Sequence, residues 1–88
     1  MKRYSIVFQT KALKEFDRLE NAVRRRIAPK IDSLTDNPRP ADAVKLSGYK
    51  DYFRIRVGDY RIVYRIQDDR LVVLIIRVGA RGDVYKNL

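Results

Sequence analysis

Arg54 and Arg56 alternate with Phe53, Ile55 and Val57, and a few residues on Arg61 and Arg65 alternate with Tyr60, Ile62, Tyr64 and Ile66. Period-two alternation sends successive side chains to opposite sides of an extended chain, so each segment has one apolar side and one carrying arginines. With Arg77 from a third apolar segment, five arginines are expected on one sheet face. Like charges facing each other destabilise a sheet unless an anion offsets them. A guanidinium is a planar fork suited to bidentate phosphate contact and to stacking on bases. Such a face therefore suits a polyanion. The plain alternative is a solvated basic face relieved by Asp59, Asp68 and Asp69, but these acids fall at the turns. Past the third segment, Val78-Gly79-Ala80-Arg81-Gly82 bends the chain and brings Arg81 and Tyr85 beside the same face.

Composition limits the remaining chemistry. The 88 residues hold thirteen Arg and seven Lys against eleven Asp and Glu, a formal charge of +9, with no Cys and no His. That balance favours an anionic partner. Disulfides and the usual Cys/His zinc sites are excluded, and neither a metal nor another cofactor is expected. The length fits one domain over residues 1–88. The longest apolar run, Leu71 to Ile76, is six residues, against the roughly 20 that a spanning helix needs. Lys2 and Arg3 precede too short an apolar stretch for a signal peptide, so a cytoplasmic location is expected.

Elements that would position the arginines can be read in order. Tyr4 to Gln9 alternates as a first strand. Thr10 is placed to cap a helix bearing Leu13, Phe16 and Leu19, and Asn21 a second whose Val23, Ile27, Ile31 and Leu34 form one stripe. Pro29 predicts a kink or a weak helix start. Asp36-Asn37-Pro38-Arg39-Pro40 is the one real loop. A short extended piece, Val44 to Leu46, precedes strands at Tyr52 to Val57, Tyr60 to Gln67 and Leu71 to Val78. The last three are joined by Gly58-Asp59 and Asp68-Asp69 as an antiparallel meander. The strand Leu71 to Ile76 is apolar on both faces and belongs at the centre, with the first strand as its other neighbour.

The order and spacing of these pieces resemble the RelE/ParE superfamily of toxins from toxin–antitoxin pairs. The resemblance runs through Lys11-Ala12-Leu13-Lys14-Glu15-Phe16, Asn37-Pro38-Arg39, Lys45-Leu46, Tyr52 to Val57, Gly58-Asp59-Tyr60-Arg61-Ile62-Val63-Tyr64, and Val78-Gly79 before Arg81 and Tyr85. It implies an α+β fold of order β-α-α-β-β-β-β, a two-helix hairpin packed on one face of a mostly antiparallel sheet. It also implies a toxin that enters the ribosomal A site, cuts messenger RNA and is silenced by a cognate antitoxin protein.

Cutting RNA by attack of its own 2′-hydroxyl requires a base, stabilisation of a pentavalent oxyanion and an acid for the departing 5′-oxygen. By position, the resemblance makes Arg54 and Arg56 the two basic strand sites, Arg61 the phosphate-stabilising residue, Arg81 the late arginine and Tyr85 the site tyrosine. The family's best-known pattern has lysine at both strand sites; arginine does not readily release a proton. Tyr85 is left either to exchange the proton or to stack on a base. Arg24, Arg25, Arg26, Arg65, Arg77 and Lys86 are the expected contacts to message and ribosomal RNA. Two other readings remain: a ParE-like inhibitor of DNA gyrase with no catalysis, and a plain RNA-binding module.

Overall fold

The computed structural model describes residues 3–86 and 88, with the side chains of Arg81 and Asp83 outside the described set. Its elements follow the expected order: β1 (Ser5–Phe8), α1 (Thr10–Asp17), α2 (Asn21–Ser33), β2 (Val44–Lys45), β3 (Tyr52–Val57), β4 (Tyr60–Gln67), β5 (Val72–Ala80) and a 3₁₀ turn, Arg81–Tyr85. The five strands lie in the order β1-β5-β4-β3-β2. Only β1 and β5 run parallel; the other pairs are antiparallel. β5 is central, as its two-sided apolar character predicts.

Both helices cover one face. Ala12, Ile27, Ile31 and Leu34 are buried against Ile55, Ile62, Tyr64, Ile66, Val73, Ile75 and Val78, with Phe16, Leu19, Val23, Phe53 and Val57 at the margin. The alternation read from β3 and β4 is therefore in the correct register. A slip of one residue would have put the arginines in this core.

The helix starts differ from expectation. Gln9 and Glu20, both with extended backbone, are the N-cap residues, and neither makes a side-chain cap bond. The Gln9 N–H already donates to the Ile75 carbonyl at 2.9 Å, so the chain passes straight from the β1–β5 ladder into the helix and Thr10 falls inside it. Asn21 accepts a hydrogen bond from Arg24, which also donates to the Asp17 carbonyl at 2.6 Å and so ties the two helices together. α2 runs through Pro29, which lies exposed within it, and does not begin there.

The β3–β4 turn is two residues, with Gly58 at φ +58° between Val57 and Asp59. The positive φ favours glycine here; a β-carbon would also crowd an Arg26 amino group at 2.5 Å, the flexible end of an exposed side chain that could swing aside. The β4–β5 connection is longer than the expected pair of aspartates. β5 begins at Val72 because Leu71 adopts φ +53°, a left-handed conformation that cannot continue a strand.

The proline-rich loop is pinned by contacts that the sequence does not announce. The buried Tyr64 hydroxyl donates to the Pro38 carbonyl at 2.7 Å. Arg39 forks onto the Asp68 carboxylate at 3.2 and 2.8 Å and lies over the Phe53 ring, 5.6 Å from its centroid. Tyr4 donates to the same carboxylate at 2.6 Å. Burial, with Asp42 adding to it, pushes the Tyr64 phenol well above its ordinary range. A phenol whose folded pKa is raised contributes stability in full below its unfolded pKa of about 10 and loses it as pH rises beyond. The denaturation midpoint should thus fall above pH ~10, and Tyr64→Phe should flatten that decline while costing about 1 kcal/mol at neutral pH. Chemical denaturation across pH 7 to 11 checks both.

Candidate nucleic-acid interface

The second sheet face is divided. Strand pairing puts Arg56 directly opposite Arg61, Arg54 opposite Val63, and Tyr52 opposite Arg65. Opposed residues in an antiparallel pair have β-carbons about 5 Å apart, so Arg54, Arg56 and Arg61 form one block at the Gly58 end of the face. Arg56 is exposed; Arg54, Arg61 and Arg65 are half-buried. The Nε atoms of Arg61 and Arg65 are buried and meet no hydrogen-bond partner among the described residues. Asp59, Asp68 and Asp69 sit at the turns, where the sequence places them.

The middle of the face is apolar, which the arginine pattern did not reveal. Val63, Ile76 and Val84 are buried there, with Leu46, Tyr52, Leu74, Tyr85 and Leu88 packed around them. The 3₁₀ turn descends onto the sheet at Gly79, where an added β-carbon would lie 3.1 Å from Val84 Cγ1. Gly79 also pairs with Arg61. Tyr85, next in the chain to Val84, is half-buried at the margin of this small core. Two sequence signals pointed to this second core: Val63 between two arginines, and the apolar outer face of Leu74 and Ile76.

Arg77 is paired into the second face, but its guanidinium does not join the arginine block. A bulge interrupts the β4–β5 register, so that Val63 pairs with Arg77 and Tyr64 with Ile75, leaving Ile76 as the extra residue. β1 accompanies β5 only as far as Phe8 opposite Ile75. Beyond that point Glu15 of α1 takes the place of a strand. Its carboxylate accepts the Val78 N–H at 3.0 Å and contacts from two guanidinium nitrogens of Arg77, Nε at 3.2 and 3.1 Å and Nη2 at 3.0 Å. Arg77 also donates to the Lys86 carbonyl and is only 8% exposed. Of the expected RNA contacts, Arg77 is thus committed to the fold, and the five arginines expected to meet an anion become four.

Arg24, Arg25 and Arg26 belong to the helical layer on the other side of the sheet, where Arg24 is engaged by Asp17 and Asn21. Lys86 is exposed at the end of the 3₁₀ turn. The Arg81 side chain lies outside the described residues. Among the described residues, no cluster of acids could hold a metal ion and no helix is long and apolar enough to cross a membrane.

This geometry can be set beside known proteins. Residues 6–85 match the family model described as the ParE toxin of the type II toxin–antitoxin system parDE. The chain belongs to the RelE/ParE superfamily of type II toxins. The toxin is 38% identical over 87 residues to a putative RelE-like toxin protein of Escherichia coli, covering 94% of this chain and 90% of that one. It is 36% identical over 86 residues to the mRNA interferase toxin RelE of Escherichia coli K12, covering 93% and 90%. The fold superposes on the isolated Escherichia coli RelE toxin with a TM-score of 0.80 at 35% identity, covering 93% of this chain and 90% of that chain. The toxin also matches the archaeal RelE–RelB complex from Pyrococcus horikoshii at 0.79 and 31% identity, covering 94% and 99%. The α+β architecture that the resemblance implied is the one this superfamily member has.

Proposed function

We propose that this toxin is a ribosome-dependent endoribonuclease that cuts messenger RNA in the A site and halts translation. The observation that carries the reading is the block of Arg54, Arg56 and Arg61 on two paired strands, partly open to solvent, on the sheet face where Tyr85 packs on the small core. Like-charged side chains held about 5 Å apart cost stability in the free protein and gain it when a phosphate sits between them. The mRNA interferase named among its relatives supports the same reading. The solved RelE–RelB pairs support a cognate antitoxin as the partner that silences it, in the cytoplasm where ribosomes work.

In the proposed reaction the 2′-oxygen of one nucleotide forms a bond to the adjacent phosphorus and the bond from phosphorus to the 5′-oxygen breaks, leaving a 2′,3′-cyclic phosphate and a 5′-hydroxyl. One proton leaves the 2′-hydroxyl and one reaches the departing 5′-oxygen. Arginines keep their protons, so Arg54, Arg56 and Arg61 act by charge: they seat the phosphate and offset the negative charge that grows on the pentavalent phosphorane. Arg81 is the fourth cation assigned to the site. The 2′-hydroxyl proton passes either to the Tyr85 oxygen in its phenolate form, which then returns a proton to the departing 5′-oxygen, or to water, which also supplies the 5′-oxygen's proton while the Tyr85 ring positions the base. Tyr85→Phe separates these roles: a large fall in rate assigns the proton to the phenol, and a retained rate assigns the ring to stacking.

Purified toxin added to ribosomes programmed with a defined A-site codon should yield message cut within that codon, read by primer extension. The ParE description of the matched family model favours one other reading, inhibition of DNA gyrase without chemistry. Loss of gyrase supercoiling with intact message would put that reading in its place, and message bound but uncut would make the toxin an RNA-binding module. Arg25 and Arg26, exposed on α2, are proposed to supply peripheral attraction to ribosomal RNA. Replacing both with Ala should weaken ribosome binding and reduce its salt slope by about one per arginine, while sparing the cleavage rate at saturating ribosomes.

A further inference from the structure

We propose that the loop between β2 and β3 is a second RNA subsite, in which Tyr49 stacks on a base of the message and Lys45 and Lys50 hold the phosphates beside it. The inference rests on the ribonuclease reading above and adds where the rest of the bound strand goes. Tyr49 is 42% exposed, the one aromatic among the large exposed apolar residues. Its ring packs on Tyr52 with centroids 5.3 Å apart and planes inclined at 40°. Tyr52 in turn is anchored in the small core under the 3₁₀ turn. One side of the Tyr49 ring is therefore supported by protein and the remainder is open to solvent.

The loop is built to hold that ring in place. The Leu46 N–H donates to the Tyr52 carbonyl at 2.9 Å, closing the loop, and the Ile66 N–H donates to the Asp51 carbonyl at 2.9 Å, fastening it to β4. Gly48 at φ +82° and Asp51 at φ +64° supply the two left-handed bends. A β-carbon at Gly48 would meet nothing, so glycine is required there by the bend alone. The loop encloses an open concavity of about 490 Å³ lined by Lys45, Leu46, Ser47, Gly48, Tyr49 and Lys50, a set with two cations and no acid. That is the combination that holds single-stranded RNA: an aromatic face for a base and lysines for the backbone. Arg56 to Tyr52 is four residues along one strand, about 13 Å, so a short run of nucleotides leads from the arginine block to this loop.

Stacking on one aromatic side chain is worth about tenfold in affinity for a single-stranded ligand. On programmed ribosomes, Tyr49→Ala should raise the KM for A-site cleavage about tenfold with kcat little changed, and Tyr49→Phe should restore the parent value. A message with 2-aminopurine beside the scissile nucleotide and a 2′-O-methyl group blocking the cut should lose fluorescence on binding the parent toxin. The quench should persist with Tyr49→Phe and vanish with Tyr49→Ala. Replacing Lys45 and Lys50 with Ala should reduce the salt slope of binding. If the parent toxin cuts message and Tyr49→Ala matches it in both KM and quench, the subsite is overturned and the ribonuclease reading stands. If the parent neither cuts nor quenches, that reading and the subsite fail together. Parent-like cleavage by Tyr49→Ala combined with weakened capture of the antitoxin would assign the loop to the protein partner and likewise overturn the RNA subsite.

Discussion

Arg61→Ala is expected to slow message cleavage on saturating ribosomes about a hundredfold, on the order of 3 kcal/mol of transition-state stabilisation, while leaving ribosome binding nearly intact. The reasoning starts from position. Arg61 faces Arg56 across the β3–β4 pair and has Gly79, which offers no side chain, on its other side. In the proposed reaction a phosphate seated in this block would meet a guanidinium from each strand, and Arg61 is the residue proposed to meet the charge that grows on the phosphorane. Binding depends on many cations spread over the surface of a +9 chain, so removing one lowers affinity little. The fold should tolerate the change, because the half-exposed stem that is lost is balanced by relief of the opposed charges. Single-turnover cleavage at saturating ribosomes, with a melting curve as control, reads the effect. A parent-like rate for Arg61→Ala would remove this block from the reaction.

Glu15→Ala is expected to be the most damaging single change to the fold among those considered, at about 3 kcal/mol, or a melting temperature roughly 15 °C lower. The carboxylate serves two donors at once, the Arg77 guanidinium and the Val78 N–H. With its side chain only 10% exposed, Arg77 would be left as a buried charge lacking its counter-ion. Glu15→Gln keeps an acceptor for Val78 and should cost less than half as much. Arg77→Met in the Glu15→Ala background should recover part of the loss, since it removes the stranded charge but not the unmet N–H. Thermal melts of the four proteins form the test, and an unshifted Glu15→Ala would show that the pair is dispensable.

Local patterns carried the fold well where one element has one wet and one dry side. The alternation of Phe53, Ile55 and Val57 with Arg54 and Arg56 located β3 and chose its core face. The stripe Val23, Ile27, Ile31 and Leu34 did the same for α2. The arginine block was legible because a run of like charges on one strand face is unusual enough to count.

Patterns failed where one residue changes the phase or where distant chain segments meet. The bulge at Ile76 leaves no mark in the sequence around it, and Arg77, paired with Val63, spends its guanidinium on the Glu15 carboxylate rather than on the arginine block. Leu71 at φ +53° shortens β5 at its start, although leucine is not a residue from which a left-handed bend would be read. The contacts of Tyr64 with Pro38 and of Arg39 with Asp68 join positions 26 and 29 apart. No window of neighbouring residues contains both partners. The two-residue edge strand β2 mattered less for its pairing than for the loop it opens, and that loop's aromatic and lysines drew no notice until they shared one concavity.

The parallel pairing of β1 with β5 joins Ser5–Phe8 to residues 72–75. A ribosome making this chain therefore releases its first strand long before the strand that must border it has been synthesised. Helices can form meanwhile, but the sheet cannot close, and the small core that sets Tyr85 waits for residues later still. A chain abandoned before residue 72 lacks β5 and the turn beyond it. Such a fragment has no Tyr85, and its β4, which carries Arg61, has no central strand beside it. On the proposed function, a fragment that stops before β5 is expected to be harmless, so the topology withholds activity until the central strand has been made.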